Sequence, residues 1–91
     1  MSLPETAIPA LSPHIQVRFD EARGQWIMNA PERVLLLDDQ GVAILNKVTG
    51  EDALATIIDD LAAAYDAPRD AIAADVIEFL GDLVEKGFVS V

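Results

Sequence analysis

From His14 to Asp20 apolar and polar side chains alternate, placing Ile15, Val17 and Phe19 on one face, which is the period of a half-buried strand. Asp20-Glu21-Ala22-Arg23-Gly24 interrupts the alternation as a turn, because Gly24 can take positive φ. Gln25–Ala30 alternates again, with Trp26 and Met28 on one face and Ile27 on the other. The two segments predict a hairpin, closed by Pro31, which has no N–H to donate to a ladder. The next strand, Arg33-Val34-Leu35-Leu36-Leu37, does not alternate. Its apolar run asks for cover on both faces.

Beyond it the period changes to that of helices. Asp38 and Asp39 stand where an N-cap and a first-turn acid belong, opposite the positive end of a helix dipole. Val42, Leu45 and Val48 then recur at helical spacing beside Ile44, and Gly50 provides a stop. A second helix opens near Thr49 to Asp52 and carries Leu54, Ile57, Ile58, Leu61 and Tyr65 along one stripe. A third has Pro68 at its first position, Ile72, Val76, Phe79, Leu80 and Leu83 as its buried face, and Lys86-Gly87 as its close. Phe88–Val91 reads as a short extended tail against the core. Residues 1–13, with Pro4, Pro9 and Pro13, read as a flexible or extended tail, leaving 14–91 as a single domain. Strands followed by helices predict an α+β fold: a small three-stranded antiparallel sheet, then three helices, in an order like that of a winged helix-turn-helix.

Composition narrows the uses of such a domain. At 91 residues it is one domain near the lower limit for a self-sufficient core, and 52% hydrophobic residues make that core attainable. There is no cysteine, so disulfides, thiolate nucleophiles and zinc–cysteine sites are excluded. The N-terminus lacks a basic and apolar signal pattern, and no apolar run approaches the roughly 18 residues of a membrane span, so a soluble cytoplasmic protein is expected. Formal net charge is −10, and twelve of the 16 acids lie beyond residue 37 against only Lys47, Arg69 and Lys86. The third helix alone carries Asp70, Asp75, Glu78, Asp82 and Glu85. A DNA-reading helix needs the opposite sign, so nucleic acid and anionic membrane are poor partners. The acids chiefly read as solvating the helix faces and keeping a small protein soluble, and a basic protein partner is the sharper possibility.

Catalysis finds no set of residues to stand on, and no enzyme activity is expected. His14 is the only histidine, and the serines fall at 2, 12 and 90, near the termini. Asp38-Asp39 and Asp59-Asp60 are neighbours that point about 100° apart on a helix and do not converge. No metal-ligand spacing and no glycine-rich phosphate loop occurs, so neither metal nor cofactor is expected. An acyl carrier would need a serine at a helix start, and residues 14–89 contain none.

Two features remain. Asp75, Glu78, Asp82 and Glu85 follow at intervals of three, four and three, a continuous acidic stripe with no internal base to offset it. It is either a solvated helix face or a rail for Lys and Arg of another chain. The strand Arg33–Leu37 is either a central strand sandwiched by hairpin and helices, or an edge onto which an extended peptide adds a strand.

The runs Phe19-Asp20-Glu21-Ala22-Arg23, Ala30-Pro31-Glu32-Arg33, Leu37-Asp38 and Ile44-Leu45 ahead of Gly50 resemble the PqqD family of pyrroloquinoline quinone biosynthesis, as do Tyr65, Asp75-Val76, Phe79-Leu80 and Leu83. The likeness covers the chain beyond about residue 11, is most specific at Ala30–Arg33, and departs from the family at His14 and Gln16. It implies a catalytically inactive peptide chaperone, a recognition element for the leader of a ribosomally made precursor (PqqA-like). The leader would add an antiparallel strand beside the third strand and be presented to a radical S-adenosylmethionine enzyme (PqqE-like) that cross-links its Glu and Tyr side chains. Carried onto this chain, the backbone of Arg33, Val34, Leu35, Leu36 and Leu37 would supply the pairing, Val76 and Phe79 an apolar floor, and Asp75 a rim charge. A diverged winged-helix regulator is the alternative, and a monomer and a dimer both remain open.

Overall fold

A computed structural model describes residues 3–31 and 33–91. Met1 and Ser2 of the expected tail, and Glu32 of the Ala30–Arg33 motif, lie outside the described residues. The chain runs β1 (Ala10–Leu11), β2 (Gln16–Asp20), β3 (Gln25–Ala30), β4 (Arg33–Leu37), α1 (Asp39–Asn46), α2 (Leu54–Tyr65), α3 (Arg69–Glu85) and β5 (Val89–Ser90). The main sheet is antiparallel in the order β2-β3-β4, and a second, two-stranded ribbon joins β1 to β5. The α+β order expected from the sequence is therefore present, with β3 in the centre of the sheet and β4 at its edge.

Register explains which side chains are covered. Val17, Met28 and Leu35 stand opposite one another across the three strands, and Trp26 faces Leu37 on the same side. That side packs on the helices: Met28, Leu54, Ile58 and Leu80 are completely buried, and Ile57 and Val76 nearly so. The other side aligns Arg18, Ile27 and Leu36. Ile27 is shielded by its neighbours, but Val34 and Leu36 are 46% and 57% exposed. The cover expected for both faces of the third strand is given to one only, because three helices in so short a chain form a single layer. Phe19 and Trp26 extend past the core toward the hairpin tip and meet edge to face, with ring centres 5.6 Å apart.

Several boundaries differ from the sequence reading for local reasons. The first strand starts at Gln16 rather than His14, since Ile15 N–H closes a turn onto the Ser12 carbonyl. α1 begins as expected, with Asp38 Oδ1 accepting from Gly41 N–H at 2.7 Å. α2 starts at Leu54, not near Thr49–Asp52, because those residues bond among themselves: Thr49 Oγ1 donates to Asp52 and accepts from Glu51 N–H. Tyr65, expected in the buried stripe of α2, is 55% exposed. It is the last residue before Asp66 turns left-handed at φ 50° and ends the helix. Pro68 occupies the cap position of α3, one residue earlier than expected.

The N-terminal segment is the largest correction. Residues 3–13, expected as a tail, are laid along the domain. Leu3 and Pro9 are buried, and Ser12 N–H reaches the Phe88 carbonyl at 3.0 Å. Among the described residues no side chain caps α2; instead its first amides are met by this strap, Leu54 N–H by the Ala7 carbonyl (2.8 Å) and Ala55 N–H by that of Glu5 (2.9 Å). Arg69 then ties three parts together, donating to Glu5 Oε1 at 2.7 Å and to Asp59. Proline spacing reads as tail only when the partner surface is out of sight.

The hydrogen bond from Arg69 holds the Glu5 carboxyl below the usual carboxylate range. A carboxyl depressed in the folded state favours folding above the free-glutamate value of about 4.3, and that contribution is lost as pH falls through the depressed folded value. Hydrogen exchange should therefore find the Leu54 and Ala55 amides protected at neutral pH and less so under acid. Arg69→Ala should weaken that protection at neutral pH and flatten its acid dependence. Equal protection in variant and parent would show that Arg69 does not fasten the strap to α2.

Candidate functional site

β4 pairs with β3 on one side, and among the described residues no strand pairs with its other side. Its backbone N–H and C=O groups on that side form a template for another extended chain. The alternative of a central, sandwiched strand is ruled out by this order. Arg33, Leu35 and Leu37 point toward the helical layer, with Leu37 buried and the Arg33 guanidinium 5.7 Å from the centre of the Phe88 ring. Val34 and Leu36 point to the open outer face.

Past the end of β4 a groove of about 510 Å³ opens between α1 and α3. Asp38, Gln40, Gly41 and Ile44 form one wall, and Asp75, Glu78, Phe79, Gly81, Asp82 and Glu85 the other. The acidic stripe of α3 is thus the lining of a concavity and not a free convex face. The expected lack of an internal base is corrected, since Lys86 pairs with Asp82 one helical turn away. The groove is kept narrow at its middle by Phe79, whose ring packs onto Gly41. A Cβ on Gly41 would come within 3.3 Å of the ring and 3.2 Å of Asp38 Oδ1. Close approach, rather than an unusual φ, is what requires glycine here.

A second, more enclosed pocket of about 280 Å³ continues from the first along α3 and shares Gln40, Ile44 and Asp75 with it. Ala43 of α1, Leu61 and Tyr65 of α2, Ala67 of the turn, and Ala71, Ile72 and Val76 of α3 complete its lining.

Of the residues singled out from sequence, Asp75 and Phe79 line the groove, and Arg33–Leu37 form the edge beside α3's end. Val76 is 1% exposed and supports the second pocket from beneath, not the groove next to the edge. Sequence reasoning missed Asp38, Gln40, Gly41 and Ile44 as groove residues, having given Asp38 a capping role alone. It also missed Tyr65 and Ala71. Only the exposed tyrosine at a helix end carries a local hint. Among the described residues no group of three or more His, Asp or Glu converges as a metal site, and no helix is long and apolar enough to cross a membrane.

An open sheet edge beside a groove bounded by the last helix gives a small α+β domain with a backbone edge of the kind that can take up an extended chain. The model of the PqqD family, coenzyme PQQ synthesis protein D, matches residues 25–89. A PqqA binding protein of Rhodopseudomonas palustris (strain HaA2) is 48% identical over 99% of this chain and 88% of its own length. One of Xanthomonas oryzae pv. oryzae is 41% identical over 86% of this chain and 85% of its own. The solution NMR structure of the PqqD truncation of Methylobacterium extorquens PqqCD, which represents a functional and stand-alone RiPP recognition element, superposes with a TM-score of 0.84 at 33% identity, over 99% of this chain and 96% of that one. The crystal structure of PqqD from Xanthomonas campestris gives 0.63 at 36% identity, over 99% and 100%. This chain belongs to the PqqD family.

The Asp38 carboxylate both caps α1 and lines the groove. Asp38→Ala should lower unfolding free energy by about 1 kcal/mol, as loss of an N-cap does elsewhere, read by urea denaturation with an unchanged m-value. A loss below about 0.3 kcal/mol would mean the cap contributes little.

Proposed function

We propose that this protein is a peptide chaperone for coenzyme PQQ synthesis, binding the leader region of a PqqA-like precursor and presenting it, without catalysing a reaction itself, to a radical S-adenosylmethionine enzyme of the PqqE kind in the cytoplasm. The observation that carries the reading is the unpaired edge of β4 lying beside a groove walled by α3. In this reading the precursor pairs with the Arg33–Leu37 backbone as a fourth, antiparallel strand. Affinity comes from main-chain hydrogen bonds and selectivity from side chains that fall alternately toward the helices and toward the outer face. Val34 and Leu36, left exposed by the fold, gain apolar neighbours on the outer side. Phe79 offers an apolar surface at the end of the strand, and Asp75 a rim charge. The relatives named PqqA binding protein support the identity of the guest.

A DNA-binding role for the same fold is disfavoured by the carboxylates along α3, which would meet phosphate with like charge.

Amide-shift mapping with a synthetic PqqA-like precursor tests the site. Shifts should concentrate on residues 33–37 and on α3; shifts confined to α2 or to the β2–β3 turn would sink the assignment. Because Leu36 lies on the outer face, Leu36→Lys should fold with an unaltered circular dichroism spectrum and bind the precursor about tenfold more weakly, by roughly 1.4 kcal/mol. Unchanged affinity would show that outer-face contacts do not contribute.

A further inference from the structure

The enclosed pocket at the far end of the groove is not part of the strand edge. Ile44, Leu61, Tyr65, Ala71, Ile72 and Val76 give it an apolar lining, with Gln40 and Asp75 at the boundary it shares with the acidic groove. Its volume of about 280 Å³ suits a single large aliphatic or aromatic side chain better than a whole ligand. The direction of the strands says which part of a guest reaches it. β4 starts at Arg33, which lies over Phe88 just beyond α3, and ends next to Asp38, which with Phe79 of mid-α3 flanks Gly41. β4 therefore runs opposite to α3. A strand antiparallel to β4 has its N-terminal end at Asp38, and the residues before it lie toward the first half of α3.

We propose that this pocket is a specificity subsite for the precursor, taking one apolar side chain located N-terminal to the β4-paired strand, with a lysine or arginine between anchor and strand facing Asp38, Asp75 and Glu78. The inference rests on the strand-addition reading above and adds an order to the guest: apolar anchor, basic residue, extended segment. Charge complementarity argues for the basic neighbour. The passage from groove to pocket is flanked by carboxylates, and Lys86, a base that offsets the stripe, pairs with Asp82 toward the end of the groove away from the pocket. An acidic residue there would be repelled, and a neutral one would leave the carboxylates to water.

Calorimetry with two synthetic peptides tests this: the PqqA-like precursor, and a version cut from its N-terminus back to the first residue that pairs with β4. Ala71→Trp fills the pocket and Tyr65→Ala opens its wall. Both positions are exposed, so the fold should be retained, as circular dichroism will check. Ala71→Trp should weaken the full precursor roughly ten- to hundredfold, the range expected for losing one buried side chain, and leave the truncated peptide unchanged. Tyr65→Ala should act in the same direction with smaller effect. Asp75→Asn combined with Glu78→Gln should flatten the salt dependence of full-precursor binding more than that of the truncated peptide, for which Asp75 is only a rim charge. If Ala71→Trp binds both peptides like the parent while shifts still map to β4, the subsite is wrong and strand addition stands. Salt dependence unaltered by the double variant would remove the basic neighbour. If the parent protein binds neither peptide, strand addition and subsite fall together.

Discussion

Burial of one face of a three-stranded sheet on a single layer of helices is the constraint from which the rest of this structure follows. Met28 at the centre of the sheet and Leu54, Ile58 and Leu80 beneath it are fully buried, and they use up the covering surface that three helices provide. Nothing remains to cover the outer face, so Val34 and Leu36 stay exposed. Among the described residues no further strand pairs with β4, so its edge stays open. An open apolar edge is ordinarily an aggregation hazard. Here it lies beside a groove lined with carboxylates, whose charge disfavours association with other copies of so acidic a chain.

The helices are positioned by contacts distant in sequence. α2 takes its first hydrogen-bond partners from the carbonyls of Glu5 and Ala7, and the strap that carries them is fastened by β1–β5 pairing and by Arg69. That anchoring sets where the end of α2 places Tyr65, and so shapes the apolar pocket. The N-terminal segment thus helps to shape that pocket without lining it. On the opposite wall, contact between Phe79 and Gly41 sets the spacing of α1 and α3, while Asp38 links the end of the edge strand to the start of the helix.

Legibility in the sequence followed the range of the interactions. The hairpin, the Asp38 cap and most of the apolar stripe of each helix depend on residues within a few positions of one another and were readable, although Val48 lies past the end of α1 at Asn46. Thr49 and Asp52 misled because the same side chains that open a helix also close a local turn, and only the strap's carbonyls decide between the two. Tyr65 fits a helical stripe by spacing, yet it lies past the last turn that the core covers. The Arg33–Leu37 strand was recognisable as carrying excess apolar surface, and the acidic rail of α3 as a regular stripe. That one is an edge and the other a groove wall was not.

The sequence by itself determined the α+β class, the order of the three sheet strands and three helices, and the acidic character of the last helix, because periodicity and charge are properties of neighbours along the chain. The tertiary structure alone decided that β4 is an edge, that Leu36 faces outward, that Asp38 and Gly41 face α3 across a groove, and that residues 3–13 belong to the packed domain. Each of these depends on which surfaces meet. For surfaces more than a few residues apart, that is set by the limited area available for burial rather than by any local pattern.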